Sequence, residues 1–287
     1  MKITRLFLFV MSLFISLAYA TEAKNFEEVY RQKCDSVTAE FYGDDWCNPG
    51  NAVGKAPNTV LIGDSYSNSL NGMMEAYVAG NKGLIYEQYG RGQCPTLLAY
   101  GPDWCAGFAK TVYERVKRTP SIKTVLIAAN WSYYWNDYWI DSRKASISDR
   151  ITDREHLRAE FEKSLQDTLK SYQALGKRVV FIYQSPGIYD PKWCAQRRIQ
   201  LSKIEDKCRL SREQTKDREE YRAYVTPLLQ QLKVLTLDPY LYFCDTKECK
   251  LRDGEKIFNT TETHLSGFGG QYLAGKAAPE LKKLLGY

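Results

Sequence analysis

The chain has 287 residues, a formal net charge of +6, eight cysteines and only two histidines. That length and an apolar fraction of 44% suffice for one sizeable core. The excess bases are scattered: Arg197-Arg198 and Lys282-Lys283 look like solvated faces. A nucleic-acid surface needs Lys and Arg clustered with aromatics, so no nucleic-acid partner is expected.

Residues 1–20 read as a secretory signal. Lys2 and Arg5 form a basic start, residues 6–17 an apolar core too short to span a bilayer, and Ala18-Tyr19-Ala20 a small-x-small cleavage site. The mature chain then starts at Thr21 and is exported, periplasmic or secreted. It is not membrane-spanning after cleavage, because charged residues interrupt every later apolar run. An even cysteine count in an exported chain points to disulfides throughout, although sequence leaves about 105 pairings open. Nearness favours Cys34 with Cys47, Cys94 with Cys105, Cys194 with Cys208 and Cys244 with Cys249, each worth up to about 3 kcal/mol if unstrained. Without histidine neighbours or a Cys-x-x-Cys pair, zinc is the weaker reading, and no metal or other cofactor is expected. No linker, repeat or low-complexity tract divides residues 21–287, so they read as a single domain with 21–57 as a disulfide-tied lead-in.

Thr59-Val60-Leu61-Ile62 is a β-favouring run suited to a strand buried on both faces, and Gly63 lets the chain turn where it ends. Asp64 and Ser65 then fall at the mouth of a sheet, where open α/β sheets bind ligands. A helix is expected over 69–79, closed by Gly80-Asn81, and a second strand over 83–89. The following loop, Gly90-Arg91-Gly92-Gln93-Cys94-Pro95, is glycine-rich but lacks a phosphate-loop lysine. Residues 108–118 fit an amphipathic helix and 123–130 a third strand ending in Asn130. An asparagine there either donates to a developing oxyanion or simply turns the chain.

Trp131, Tyr133, Tyr134, Trp135, Tyr138 and Trp139 follow at once. Such a cluster either stacks on sugar rings, with Trp131, Trp135 and Trp139 as substrate-binding candidates, or walls a crevice and fills core. Residues 154–175 carry charges around an apolar stripe, Leu157, Phe161, Leu165, Leu169 and Tyr172, and form a long helix. His156 falls in its charged opening turn and reads as a surface residue. A fourth strand over 178–184 leads to a polar excursion over 189–216, a helix over 217–232, a fifth strand over 234–237, a tight loop over 244–249 and a closing helix over 267–285. Strands alternating with helices indicate an α/β class fold, a parallel five-stranded sheet covered on both faces.

His264, in Glu262-Thr263-His264-Leu265-Ser266-Gly267, precedes the closing helix, and a parallel sheet returns that loop to the rim that holds Ser65. With His156 set aside it is the candidate base for a serine nucleophile, which needs one because a free hydroxyl is barely ionised at neutral pH. At these residues the sequence resembles the SGNH (GDSL) hydrolase superfamily. Gly63-Asp64-Ser65 matches the nucleophile block, Ala128-Ala129-Asn130-Trp131 takes the place of the Gly-x-Asn-Asp block, and His264 matches the histidine of the Asp-x-x-His block. Cys94-Pro95, Cys105, residues 126–131, Cys244 and Cys249, and His264-Leu265-Ser266 with Gly269 and Gly270 look closest to the periplasmic SGNH domain associated with membrane acyltransferases that O-acylate surface polysaccharides.

The resemblance implies a flavodoxin-like α/β/α sandwich and acyl-ester chemistry through Ser65. It also implies an oxyanion hole made of the Ser65 amide, a glycine amide and the Asn130 side chain; Gly92 is the expected glycine, with Gly90 next to it. Thr261 stands where the family has its aspartate. Either Glu262 orients the histidine, or the site runs as a Ser-His dyad with a backbone carbonyl as third member. The reading that follows is an exported O-acyltransferase or esterase acting on an acylated, chiefly acetylated, envelope or surface glycan, with a membrane acyltransferase as a candidate partner. The alternative is a glycan-binding SGNH scaffold serving that partner without chemistry of its own.

Overall fold

A computed structural model describes residues 45–48, 50–136, 154–187 and 209–287. In chain order its elements begin with strand β1 (Asp45–Asn48), strand β2 (Thr59–Gly63), helix α1 (Ser65–Ser69), helix α2 (Asn71–Gly80), strand β3 (Tyr86–Arg91) and helix α3 (Asp103–Arg118). Strand β4 (Thr124–Ala128), helix α4 (Trp131–Asn136), helix α5 (Arg154–Ala174) and strand β5 (Arg178–Ile182) follow. After β6 (Arg209–Ser211) come α6 (Arg212–Glu219), α7 (Arg222–Gln231), β7 (Leu235–Leu237), α8 (Tyr240–Phe243) and β8 (Glu248–Lys250). The chain closes with the short strands β9 (Arg252–Asp253) and β10 (Lys256–Ile257) and the helices α9 (Gly267–Lys276) and α10 (Ala278–Leu285).

The main sheet runs β1-β3-β2-β4-β5-β7, with β1 antiparallel to β3 and every other pair parallel. Its parallel strands, numbered by appearance, stand in the order 2-1-3-4-5, the flavodoxin-like arrangement expected from the sequence. A sixth, antiparallel strand from the lead-in, β1, is added at the edge. The reversal of winding falls between β2 and β4, and the crevice beyond their carboxyl ends is where such sheets bind ligands.

Side chains alternate along the strands and fill two separate cores. Val60 and Ile62, Val125 and Ile127, and Val179 and Phe181 join α3, α5 and α7 on one face. Leu61, Leu126, Val180 and Ile182 join α2, α9 and α10 on the other. The stripe Leu157, Phe161, Leu165, Leu169 and Tyr172 of α5 is buried on the first face. On the second face α9 crosses α2 at backbone contact: a Cβ on Gly270 would lie 2.7 Å from the Met73 nitrogen, and one on Gly72 would lie 2.8 Å from the Gly267 carbonyl oxygen. A Cβ on Gly269 would meet the Phe258 carbonyl oxygen at 2.1 Å. These glycines let the closing helix settle deeply enough to hold the loop before it over the end of β2.

Two expected helices are each divided. The one expected over 217–232 is α6 and α7, and α6 begins earlier at a capping box in which Ser211 Oγ accepts the Gln214 N–H while Gln214 accepts the Ser211 N–H. The closing helix breaks at Ala277, with Pro279 in the first turn of α10, where a missing N–H costs nothing. The disulfides Cys94–Cys105 and Cys244–Cys249 form as expected, and Cys47 is also disulfide-bonded. Residues 1–20, expected to be a secretory signal, and Cys34, Cys194 and Cys208 lie outside the described residues. Among the described residues no helix is long and apolar enough to cross a membrane.

Candidate active site

Strand β2 delivers its serine through a turn that only glycine permits. Gly63 has φ +152°, and a Cβ there would sit 1.7 Å from the Ala128 carbonyl oxygen at the end of β4. Asp64 then caps α1, its Oδ1 accepting the Tyr66 N–H at 2.8 Å. Ser65 is the first residue of that helix, so its own N–H has no intrahelical acceptor, and it donates to no group among the described residues. Tyr66 anchors the turn from below: its hydroxyl accepts the Ser185 N–H at 2.7 Å and donates to the Tyr183 carbonyl at 3.3 Å, beyond the end of β5.

His264 arrives from the other end of the chain. The loop that carries it is pinned by an antiparallel bridge between Asn259 and Leu265, by the Ser266 N–H on the Phe258 carbonyl at 2.7 Å, and by Ser266 Oγ capping α9 through the Gly269 N–H. The result is a direct contact, His264 Nε2 to Ser65 Oγ at 2.8 Å, across 199 positions of sequence. Burial lowers the pKa of His264 from its ordinary 6.5, so the ring is neutral, the form a base requires.

The other ring nitrogen does not meet Glu262. Nδ1 faces Thr261 Oγ1 at 2.5 Å, while Glu262 is exposed to solvent. The expectation that Glu262 orients the histidine is therefore corrected: the chain turns so that the residue three before His264 reaches its ring, and the residue two before points outward. Among the described residues no backbone carbonyl meets Nδ1 either.

Asn130 lies just past the end of β4, and its N–H donates to the carboxylate of Asp64, the residue before Ser65. Its side-chain Oδ1 accepts from Ser132 Oγ at 3.3 Å, and its Nδ2 donates to no group among the described residues. Gly90 lies inside β3, paired with Gly63 of β2 on one side and Trp46 of β1 on the other, so the sheet claims its backbone. Gly92 lies in the turn just past that strand. Its loop is held by the Cys94–Cys105 bridge and by Thr96 Oγ1 donating to the Gly63 carbonyl at 3.0 Å.

The group that joins these parts is one that the sequence places in the nucleophile block but gives no role. Asp64 is 2% exposed, and its Oδ2 accepts both the Asn130 N–H at 3.0 Å and the Tyr134 hydroxyl at 2.7 Å. One carboxylate thus fixes the ends of β2 and β4 relative to each other. Burial pushes its pKa up to about 6 against the opposing pull of the hydrogen bonds from Asn130, Tyr134 and Tyr66. Beyond its place in that block, the signal for its structural role is that of an aspartate directly before a helix, which is the N-cap preference.

The aromatic stretch divides differently from the expectation. Trp131 is fully buried, stacked on Phe181 at 4.6 Å between centroids, with Nε1 donating to the Ile182 carbonyl at 2.8 Å. Trp135 is buried against Phe161 and Tyr224, with the Arg158 guanidinium over its ring at 4.6 Å. Neither offers a free face to a sugar, so Trp131 and Trp135 are corrected from substrate-binding to core residues. Trp139 and the side chain of His156 lie outside the described residues.

Comparison with known proteins follows the same lines. The family described as SGNH domain (fused to AT3 domains) matches residues 33–279. The periplasmic domain of a lipopolysaccharide acetyltransferase from Salmonella ser. Paratyphi A superposes with a TM-score of 0.58 at 19% identity, over 78% of this chain and 84% of that one. Est24, a carbohydrate acetylesterase from Sinorhizobium meliloti, superposes with a TM-score of 0.47 at 13% identity, over 79% of this chain and 99% of that one. No curated protein matches in a search by sequence. The likeness to the acetyltransferase domain is one of fold.

Proposed function

The chain belongs to the family of SGNH domains found fused to AT3 domains, and from that premise we propose that it is an exported acyl-ester enzyme working through Ser65. The observation that carries this reading is the 2.8 Å contact between Ser65 Oγ and His264 Nε2 at the carboxyl edge of the sheet. Ser65 Oγ attacks the ester carbonyl as its proton passes to His264 Nε2. In this reading the oxyanion is received by the Ser65 N–H, the Gly92 N–H and Asn130 Nδ2, since donors aimed at the developing charge lower the barrier. Collapse of the adduct breaks the bond to the leaving alcohol, which takes the proton from His264, and leaves an acyl group on Ser65.

The second half runs the same steps in reverse with a new nucleophile. Water gives hydrolysis; a sugar hydroxyl gives transfer, with His264 again taking the proton. An acylated glycan of the envelope or surface is the proposed substrate and acetyl the proposed group, in line with the lipopolysaccharide acetyltransferase domain that shares the fold. A membrane acyltransferase is the proposed partner, since the family's domains occur fused to AT3 domains. The test is turnover of a chromogenic acetyl ester by the purified protein. Ser65→Ala and His264→Ala should each remove most of it, and the double variant should lose little more, because nucleophile and base act as one unit. Undiminished turnover in Ser65→Ala would exclude the reading, and glycan binding without turnover would favour a scaffold.

A further inference from the structure

The ring of His264 is held by a hydroxyl, and a hydroxyl does not settle a tautomer as a carboxylate does. An ionised carboxylate only accepts, so a ring nitrogen against it must carry the proton, and the opposite nitrogen is left bare to act as base. Thr261 Oγ1 has two lone pairs and one proton. Both lone pairs have claimants other than the ring: the His264 N–H lies at 3.2 Å and the Thr263 N–H at 3.5 Å, the second a long bond. What remains for Nδ1 at 2.5 Å is the hydroxyl proton. Among the described residues no carboxylate touches the ring, and its remaining partner is Ser65.

We propose that Thr261 is the positioning residue of His264, and that its hydroxyl donates to Nδ1, so that in the resting protein the imidazole proton sits on Nε2, facing Ser65 Oγ. This rests on the serine–histidine reading above and adds to it. In that tautomer Nε2 donates to the serine instead of accepting from it. The basic form arises only when the Thr261 hydroxyl rotates and Nδ1 takes up the proton. The site is therefore held in the correct geometry but mostly in the wrong protonation pattern. A group that accepts at position 261 should release it.

The proposal is tested first without reference to catalysis. With only two histidines in the chain, 15N-labelled histidine gives a spectrum in which the ring nitrogens are assignable by comparison with His156→Ala. At pH 8 the His264 ring of the wild type should show a bare Nδ1 and a protonated Nε2, and Thr261→Asp should exchange them. A wild-type ring protonated on Nδ1 would overturn the proposal, whether or not the protein turns over esters.

Turnover supplies the second arm. Thr261→Ser should retain wild-type kcat and the wild-type tautomer. Thr261→Val should lower kcat about tenfold or more with little change in KM, as positioned acid–base catalysis is commonly worth about 10²-fold or above. Thr261→Asp should raise kcat about tenfold, well within the roughly 10⁴-fold that a wrong tautomer costs a triad enzyme. Thr261 is exposed, so these variants are expected to fold, and the histidine spectra report whether they do. Equal kcat in the valine and wild-type proteins, or no gain in the aspartate variant once its tautomer has exchanged, would refute the positioning role. Loss of all turnover in every protein, with the ring tautomers as expected, would instead count against the acyl-ester reading alone.

Discussion

Replacing Asp64 by asparagine keeps the shape of the joint between β2 and β4 and removes its charge. In the folded protein burial lifts the Asp64 pKa from 3.8 to about 6. A carboxyl made that much harder to ionise corresponds to about 3 kcal/mol by which the fold prefers the protonated acid. Because the value is raised, the folded chain binds this proton more tightly than the unfolded chain does. The stabilisation is therefore complete below pH 3.8 and is lost as pH rises through about 6.

In the asparagine variant that dependence disappears, while other groups contribute alike to both proteins and cancel in the difference. Guanidinium unfolding of both proteins at about pH 8, 6 and 4 is the assay. The wild type should gain roughly 2 to 3 kcal/mol on the variant between pH 8 and pH 4. At pH 8 the variant escapes the cost of the buried charge but leaves an NH₂ group facing either the Tyr66 N–H or the Asn130 N–H and Tyr134 O–H together, a loss of about 1 to 3 kcal/mol. The two proteins should then differ by no more than about 2 kcal/mol, what is left of these opposed effects. Turnover should nonetheless drop, because the joint that holds Ser65 and Asn130 has lost one of its two acceptor oxygens. A difference that is flat from pH 8 to pH 4, or one in which the wild type gains as pH rises, would refute this account of Asp64.

Asn130→Ala should lower kcat by roughly 10²-fold or more with KM little changed, since one oxyanion donor is commonly worth a few kcal/mol; a wild-type rate would remove Asn130 from the oxyanion hole. Trp131→Ala should destabilise the fold by about 3 to 5 kcal/mol in the same denaturation assay, the usual cost of emptying so large a buried site, and would strand the Ile182 carbonyl that its Nε1 serves. A stable Trp131→Ala protein that had lost only glycan turnover would restore the sugar-stacking role. Because burial lowers the His264 pKa from 6.5, the acid limb of kcat/KM should inflect below pH 6.5; an inflection above about pH 7 would contradict a neutral, desolvated base.

The parts of the site that are legible in the sequence are those fixed by local backbone demands. Gly63 and Ser65 stand out because a strand that ends in a forbidden turn must use glycine there, and His264 because it precedes the last helix with its rival discounted. Topology then follows from five short β-favouring runs separated by helices. Strand β1 is not legible, since Asp45-Trp46-Cys47-Asn48 has no alternation and acquires its conformation only by pairing with β3. Trp131 and Trp135 are ambiguous for a related reason: aromatic composition does not say on which side of a strand end a ring falls, and here the buried Phe181 and Phe161 beside them decide it. Thr261 is visible only as a departure from a pattern. That its hydroxyl, rather than Glu262, reaches Nδ1 depends on the turn made by residues 260–264, where the Thr260 N–H closes on the His264 carbonyl at 2.9 Å.

The central claim is that Ser65 is the residue on which the acyl group rides. Rapid quenching of the protein with a chromogenic acetyl ester, followed by intact-mass measurement and peptide mapping, tests it most directly. One acetyl group should appear on the peptide that contains Ser65, within the first turnover, and be absent from Ser65→Ala. An acetyl group on another residue, or steady turnover in Ser65→Ala with no modified peptide, would contradict it.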